Sequence, residues 1–361
     1  MSNAKDTVCV GLSGGVDSSV AAQRLLNAGY NVIGVFIKTW QPDFIRCTWQ
    51  AERLDAMRVA AHLGIPFYTC DAVENYRDAV AMYMIDEYRK GRTPNPDVMC
   101  NKYVKFGTFL DFASSYGATK IATGHYARVI EHGGAFQLHR GVDTDKDQSY
   151  FLWTLTQGQL ERTIFPVGDT VKQHVRSEAE HVGLATHKKG DSQGVCFLGE
   201  IDMKDFLSHY IDVQPGDVVD EKGNVIGTHD GALFYTLGQR QGFRIHAQSA
   251  SESAHYVISR DIERNTITAG TAPVHLRDGA VVLLTECNFI SELDTNSYTA
   301  QFRYRQKPFP ITLTRTGETT ARVTLPNNHV ELPSLGQSCV WYKETQCIGG
   351  GIIDSIETEN M

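Results

Sequence analysis

Apolar and polar positions follow two different periods along the first 125 residues. "TVCVGL" (7–12) is a short apolar run. The positions after it repeat at helical spacing over roughly 17–28, until Gly29 supplies a C-terminal cap. "NVIGVFIK" (31–38) predicts a second strand, and "QAERLDAMRVAAHLG" (50–64) a helix closed by Gly64. "PFYTCD" (66–71) predicts a third strand, and "AVENYRDAVAMYMIDEYRKG" (72–91) a long helix stopped at Gly91. A further helix is expected after "RTPNPDVMCN" (92–101), followed by the strand "KIATG" (120–124). Strands alternating with helices predict an α/β fold with a doubly wound parallel sheet. Ligands of such sheets bind beyond the carboxyl ends of the strands. Residues 13–18, 38–40, Asp71 and Gly124–His125 all fall there.

The helical alternation fades after about residue 204. The stretch beyond it is dense in glycine and turns, with short β-like runs. From about 273 to the end, "GAVVLLTECNFI", "YTAQFRYRQ", "ITLTRT", "TARVTLP" and "QSCVWY" follow one another between turn residues. That spacing predicts a small closed all-β domain. In "FRYRQKPF" the residues Arg303, Arg305 and Lys307 alternate, so a strand there would turn all three to one face.

Composition changes this picture little. The chain has 361 residues, enough for two or three domains, with 42% hydrophobic and 21% charged residues. No apolar run is as long as a membrane span and the N-terminus has no signal-peptide pattern, so a cytoplasmic protein is expected. The net charge of −8 does not advertise a nucleic-acid binder. Local patches nevertheless exist: Arg89, Lys90, Arg92, Lys102 and Lys105 surround a single acid, Asp97. The eight cysteines contain no CxxC pair, which argues against a zinc site and a disulfide framework.

The chemistry begins in "GLSGGVDSS" (11–19), between the first strand and the first helix. Neither GxxxxGK[ST] nor GxGxxG is present. Gly14 and Gly15 let the backbone approach an anion without Cβ interference. Successive N–H groups and the helix N-terminus then form an anion nest. Ser13, Ser18 and Ser19 add hydroxyls, and Asp17 is placed either to cap the helix or to face Mg²⁺. Two cysteines share a setting of basic residues and glycine: Cys100 in "GRTPNPDVMCNKYVKF" and Cys196 in "KKGDSQGVCFLGE". A helix start and nearby cations favour the thiolate. The prolines flanking Asn95 predict a stiff, extended segment for Asn95 and Asp97, and Asp97 could also cap the following helix.

SGGVDS resembles the pyrophosphate loop of the N-type ATP pyrophosphatases. "GLSGGVDSSVAA", "GRTPNPDVMCNKYVKF", "ATGHYAR", "KDQSYFLWTL", "DSQGVCFLGE", "THDGALFYTLGQRQG" and "CIGGGII" are together similar, in order, to the bacterial tRNA-specific 2-thiouridylases. The resemblance implies three domains. These are an N-type ATP pyrophosphatase domain over 1–204, a small linking domain over 205–272 and a tRNA-contacting β-barrel over 273–361. It implies thiolation of the wobble uridine of tRNA, with ATP and Mg²⁺ and a persulfide donor protein as partner. Gly11, Leu12, Ser13, Gly14, Gly15, Val16, Asp17 and Ser18 match the ATP loop, with Ile37 (commonly methionine) and Gly124 at further nucleotide positions. Asn95, Pro96 and Asp97 match the segment that meets the target base. Cys100 matches the nucleophilic or assisting thiol and Cys196 the persulfide carrier. His125, Lys146, Asp147, Gln148, Arg303, Tyr304 and Gln337 match tRNA-contacting positions.

Three other readings stay open at this stage. One is a ligase of the same fold that activates a small molecule. Another is an RNA-binding protein with a relict loop. The third is an iron–sulfur cluster held by Asp97, Cys100 and Cys196 in place of a persulfide.

Overall fold

The computed structural model describes residues 6–45, 48–190, 202–246, 254–277, 279–295, 297–325 and 330–357. The N-terminal part opens with β1 (Thr7–Gly11), α1 (Val16–Asn27), β2 (Asn31–Lys38), α2 (Trp49–Leu63) and β3 (Phe67–Asp71). After two long helical stretches comes β4 (Lys120–Ala122), and later the short strand Thr163–Ile164. All five strands are parallel, in the order β3-β2-β1-β4-(Thr163–Ile164). The winding reverses between β1 and β4, which opens a crevice at their carboxyl ends.

Both faces of β1 are buried, which is why its sequence is nearly all apolar. Val8 and Val10 pack with Val20, Ala21, Leu25, Val59 and Ala60 of α1 and α2. Cys9 points into the opposite core with Val35, Ile37, Met84, Phe106 and Phe109. The expected long helix runs over Val73–Arg89, with a π-helical centre at Arg77–Met82, and stops before Gly91 at φ +69°.

The next helix starts earlier than its sequence suggested. It begins at Pro96, becomes π-helical over Cys100–Thr108 and ends as Phe109–Ser115. Proline is suited to the first helical position because its missing N–H would have had no partner there. The cap is Asn95, whose side chain accepts the Val98 N–H at 3.3 Å, and not Asp97. Cys100 therefore lies inside the helix and not ahead of it.

A second departure is the hairpin Ala127–His132 and Ala135–Arg140, turned by Gly133 and Gly134, both in the left-handed region. It leaves the parallel sheet and joins the C-terminal barrel, with His139 opposite Gln346 and Leu138 opposite Cys347. The barrel closes through six antiparallel strands: Val281–Phe289, Ala321–Thr324, Phe309–Arg315, Ser297–Gln301, Ser338–Lys343 and Gln346–Glu357. Between the two lies a five-stranded sheet built from Gly216–Val219, Val225–His229, Arg244–Ile245, Tyr256–Asp261 and Thr266–Gly270.

The expected basic strand face does not exist. The strand ends at Gln301, and Arg303, Arg305 and Lys307 lie in a turn, with Arg305 at φ +62°. The Gln306 side chain accepts from the N–H groups of Phe302 (2.7 Å) and Arg303 (3.2 Å), folding the chain back on itself. Among the described residues no helix is long and apolar enough to cross a membrane.

Candidate active site

The glycine loop occupies the crevice between β1 and β4. Gly14 adopts φ +72°, and a Cβ there would stand 2.8 Å from the Glu52 carbonyl oxygen of α2. Gly15 caps α1 with extended backbone and no side-chain help, so the first N–H groups of the helix are left for a ligand. The serines hold the loop in shape. Ser18 Oγ accepts from Ser13 N at 3.3 Å, Ser13 Oγ accepts from Gly15 N at 3.3 Å, and Ser19 Oγ donates to the Gly15 carbonyl at 2.7 Å. Leu12 and Val16 are buried anchors on either side. Gly11 backs onto Phe109 and Ile37, and Ile37 is itself part of the core. From β4, Gly124 presses directly on the loop: its Cβ would lie 2.7 Å from Ser18 N and 2.9 Å from Asp17 Cβ.

Asp17 neither caps α1 nor stands alone. Lys172 Nζ donates to both of its carboxylate oxygens at 2.7 Å, and the Tyr126 hydroxyl donates to Oδ1 at 2.8 Å. Lys172 is only 8% exposed and opens the helix Lys172–His181, its own N–H bonded to the Asp143 carboxylate at 2.8 Å. Lys189 Nζ reaches the Gly14 carbonyl (3.1 Å) and Asp55 (2.9 Å). Lys189, with Arg58, holds the Asp55 carboxyl below the usual carboxylate range. Sequence reading missed Lys172, because "DTVKQHVRSE" carries no motif and 155 residues separate it from Asp17. Lys172→Ala is expected to cost about 2 kcal/mol of stability in a urea titration, since a charged hydrogen-bond donor is removed from a carboxylate. Lys172→Arg should recover part of that loss.

In the second cluster, Asn95, Pro96, Asp97 and Cys100 share one helix start. Asp97 and Cys100 are three apart, so they lie on the same side of the helix. Cys100 is fully buried, and Asp97 is half-buried. Two cations near them in sequence have partners outside this cluster. Arg92 binds Glu87 (2.7 Å), Asp354 (3.1 Å) and the Ile353 carbonyl (3.2 Å), and Lys102 Nζ lies 3.8 Å from Glu286. Cys196 lies outside the described residues. Among the described residues no three His, Cys, Asp or Glu side chains are grouped to hold a metal.

The residues matched to RNA contacts fall into three places. His125 stands beside Gly124, buried between Phe106 and Phe165 (ring centroids 5.9 Å each), sharing a 2.7 Å hydrogen bond with Thr123 Oγ1. Burial, and secondarily Lys105, push its pKa well below the ordinary value, so it is a neutral imidazole. Gln148 pairs with the Tyr126 backbone in both directions at 2.9 Å. Asp147, between Gln148 and the half-buried Lys146, is buried and accepts from Arg140 Nη1 (2.8 Å), Gly141 N (3.1 Å) and Ser149 N (3.0 Å). Arg303 bonds to Glu331 (2.8 Å) and to the carbonyl of Leu237, in a turn of the middle domain (3.4 Å). Tyr304 packs on Phe151 with ring centroids 4.5 Å apart. Gln337 faces the strap that precedes Asn95.

Comparison with known proteins finds relatives over nearly the whole chain. The tRNA methyl transferase HUP domain matches residues 6–200, the corresponding PRC-barrel domain 204–271, and the aminomethyltransferase beta-barrel domain 281–353. The tRNA-specific 2-thiouridylase MnmA of Enterococcus faecalis is 42% identical over 98% of this chain and 96% of its own length. The protein of that name from Alcanivorax borkumensis is 46% identical over 96% and 97%, and that from Bacillus subtilis 42% over 97% and 95%. The chain belongs to the tRNA-specific 2-thiouridylase family.

A thiouridylase-family chain with eight cysteines must keep spare thiols out of sulfur chemistry. Burial does so here. It raises the thiol pKa of Cys9 to about 11 and those of Cys70, Cys287 and Cys347 to about 12, and lifts Cys339 well above the ordinary value. Each is a protonated thiol at neutral pH. Folded pKa values above the unfolded ones mean that the native state retains protons that the unfolded chain releases. Their stabilisation is complete below about pH 9 and is lost as pH rises from there through 11–12. Urea midpoints are expected to fall between pH 9 and 11, and iodoacetamide at pH 8 should leave Cys9, Cys70, Cys287, Cys339 and Cys347 unlabelled until the chain unfolds.

Proposed function

We propose that this chain carries out ATP-dependent 2-thiolation of the wobble uridine, U34, of tRNA. The observation that carries this reading is the placement of the glycine loop, with Gly124 closed against it, in a family whose curated relatives match this chain end to end. The C2 oxygen of uracil is a poor leaving group. Its attack on the α-phosphorus of ATP expels pyrophosphate, and the loop N–H groups of residues 13–18 receive the developing negative charge. Mg²⁺ arriving with ATP would neutralise phosphate charge, and Asp17, the carboxylate at the loop, would hold it only by exchanging its bonds to Lys172 and Tyr126.

The second half-reaction puts sulfur on C2 and releases AMP. Cys196 carries the sulfur as a persulfide taken from a donor protein. Cys100 frees it, either by attacking Cys196 to give a disulfide and hydrosulfide, or by assisting direct attack of the persulfide on C2. A thiol reductant then resets the disulfide. Asp97 positions the base or moves a proton. The wobble base leaves its stack to reach Asn95–Asp97, at a cost on the order of a few kcal/mol that tRNA contacts made by the barrel and linking domains offset. The catalytic unit spans 1–204, the linking domain 205–272 and the tRNA-contacting barrel 273–361.

The test is to incubate the protein with ATP, Mg²⁺, a persulfide source and an unmodified tRNA with a UUN anticodon, then digest and analyse the nucleosides by mass spectrometry. ATP-dependent 2-thiouridine supports the reading. AMP formation on a small amine substrate, with no thionucleoside, would replace it with a ligase. Iron analysis after anaerobic purification tests the cluster at Asp97, Cys100 and Cys196. Stoichiometric iron would replace the persulfide route.

A further inference from the structure

Gln337 lies on the barrel, yet its side chain is directed into the catalytic domain. The Nε2 group donates to the Thr93 carbonyl at 2.9 Å and to the Pro94 carbonyl at 3.3 Å. An amide nitrogen has two hydrogens, and these two carbonyls account for both. Its main chain is tied to the barrel on both sides, Ile353 N donating to the Gln337 carbonyl at 2.8 Å and Gln337 N donating to that of Ser334 at 3.3 Å.

The rest of the seam has the same character. Thr93 N donates to the Leu335 carbonyl at 2.8 Å. Gly336, at φ +88°, leaves room for the strap: a Cβ there would stand 3.1 Å from the Thr93 carbonyl oxygen and from Arg92 Cβ. The buried Tyr150 hydroxyl donates to the Ser338 carbonyl at 2.9 Å and also meets the Asn95 side chain. Three hydroxyls along this seam, those of Thr93, Ser334 and Ser338, are buried without a hydrogen-bond partner.

Resting on the thiolation reading above, we infer that Gln337 is a positioning residue, through which the barrel fixes the Thr93–Pro94 strap and hence the Asn95 cap, Asp97 and Cys100. Pro94 and Pro96 make the strap stiff, so displacement at the Thr93 and Pro94 carbonyls is passed to the helix start and not absorbed by the intervening chain. The barrel thereby supplies part of the base-facing site and not only an RNA-binding surface.

The test compares Gln337→Met, similar in length with no donor, with Gly336→Ala, which keeps the amide and pushes on the strap. Three quantities are read on the full-length protein: tRNA affinity at fixed salt, single-turnover 2-thiouridine formation, and amide hydrogen exchange of residues 93–99 without tRNA. Both variants are expected to exchange the 93–99 amides faster without tRNA and, with tRNA saturating, to form 2-thiouridine at least about tenfold more slowly, so that the loss falls on the single-turnover rate beyond any change in affinity. Weaker tRNA binding with unchanged exchange would make Gln337 a plain RNA contact and overturn the inference. Unaltered exchange with unaltered rate would overturn it too. If wild type formed no 2-thiouridine, the function reading would fall, while the exchange measurement would still decide whether Gln337 holds the strap.

Discussion

Cys196→Ala and Cys100→Ser are each expected to reduce persulfide-driven 2-thiouridine formation by at least about 10³-fold while tRNA binding is retained. In the proposed reaction the two half-reactions use different parts of the molecule. Activation of the base is assigned to the glycine loop ahead of the helix that starts at Val16, and sulfur delivery to the helix start at Pro96 and the thiols. Serine keeps nearly the volume of Cys100, so a fully buried position is not left as a cavity. Its hydroxyl neither forms a disulfide nor becomes a nucleophile at neutral pH. Mass spectrometry of digested tRNA reads the loss, and thermal melting checks that the Cys100→Ser protein is folded. A residual rate within tenfold of wild type in either variant would remove that thiol from the mechanism.

Gly124→Ala is expected to lower kcat/KM for ATP by about 100-fold, measured as pyrophosphate release. Here the effect is steric. The added Cβ would lie 2.7 Å from Ser18 N and 2.9 Å from the Asp17 carbonyl carbon, where no side-chain rotation relieves it. Either the end of β4 or the start of α1 must move, and α1 carries the loop N–H groups. A displacement of about 1 Å in such donors is enough for a loss of that order. Gly64→Ala is the control. It strains a left-handed residue, at φ +67°, but a Cβ there meets nothing within 4 Å. It should lower the melting temperature and leave ATP turnover per folded molecule unchanged. Equal losses in both variants would assign the Gly124 effect to folding.

Much of the site was legible from residues adjacent in the chain. SGGVDS could be read as an anion loop because glycine, serine and a helix start act locally, and strand-helix alternation placed it at a strand end. The helix that starts at Pro96 was read as beginning later, because Asn95 and Asp97 are both good capping residues. Proline at the first helical position decided between them. The basic stripe failed for a related reason. Alternation at Arg303, Arg305 and Lys307 satisfies the strand period, but the Gln306 side chain captures the Phe302 and Arg303 N–H groups and ends the strand.

The sequence by itself determined the alternation of strands and helices over the first 125 residues, the glycine loop at a strand end and the all-β character of the C-terminal part. These follow from periodicity, turn residues and side-chain type, which act between near neighbours. Only the tertiary structure decided that Lys172 pairs with Asp17, that the hairpin of residues 127–140 extends the barrel sheet, and that Gln337 grips the strap 244 residues earlier. No local pattern encodes such partners. They are chosen when the closed fold brings buried polar groups together and each must find a hydrogen bond or remain unsatisfied.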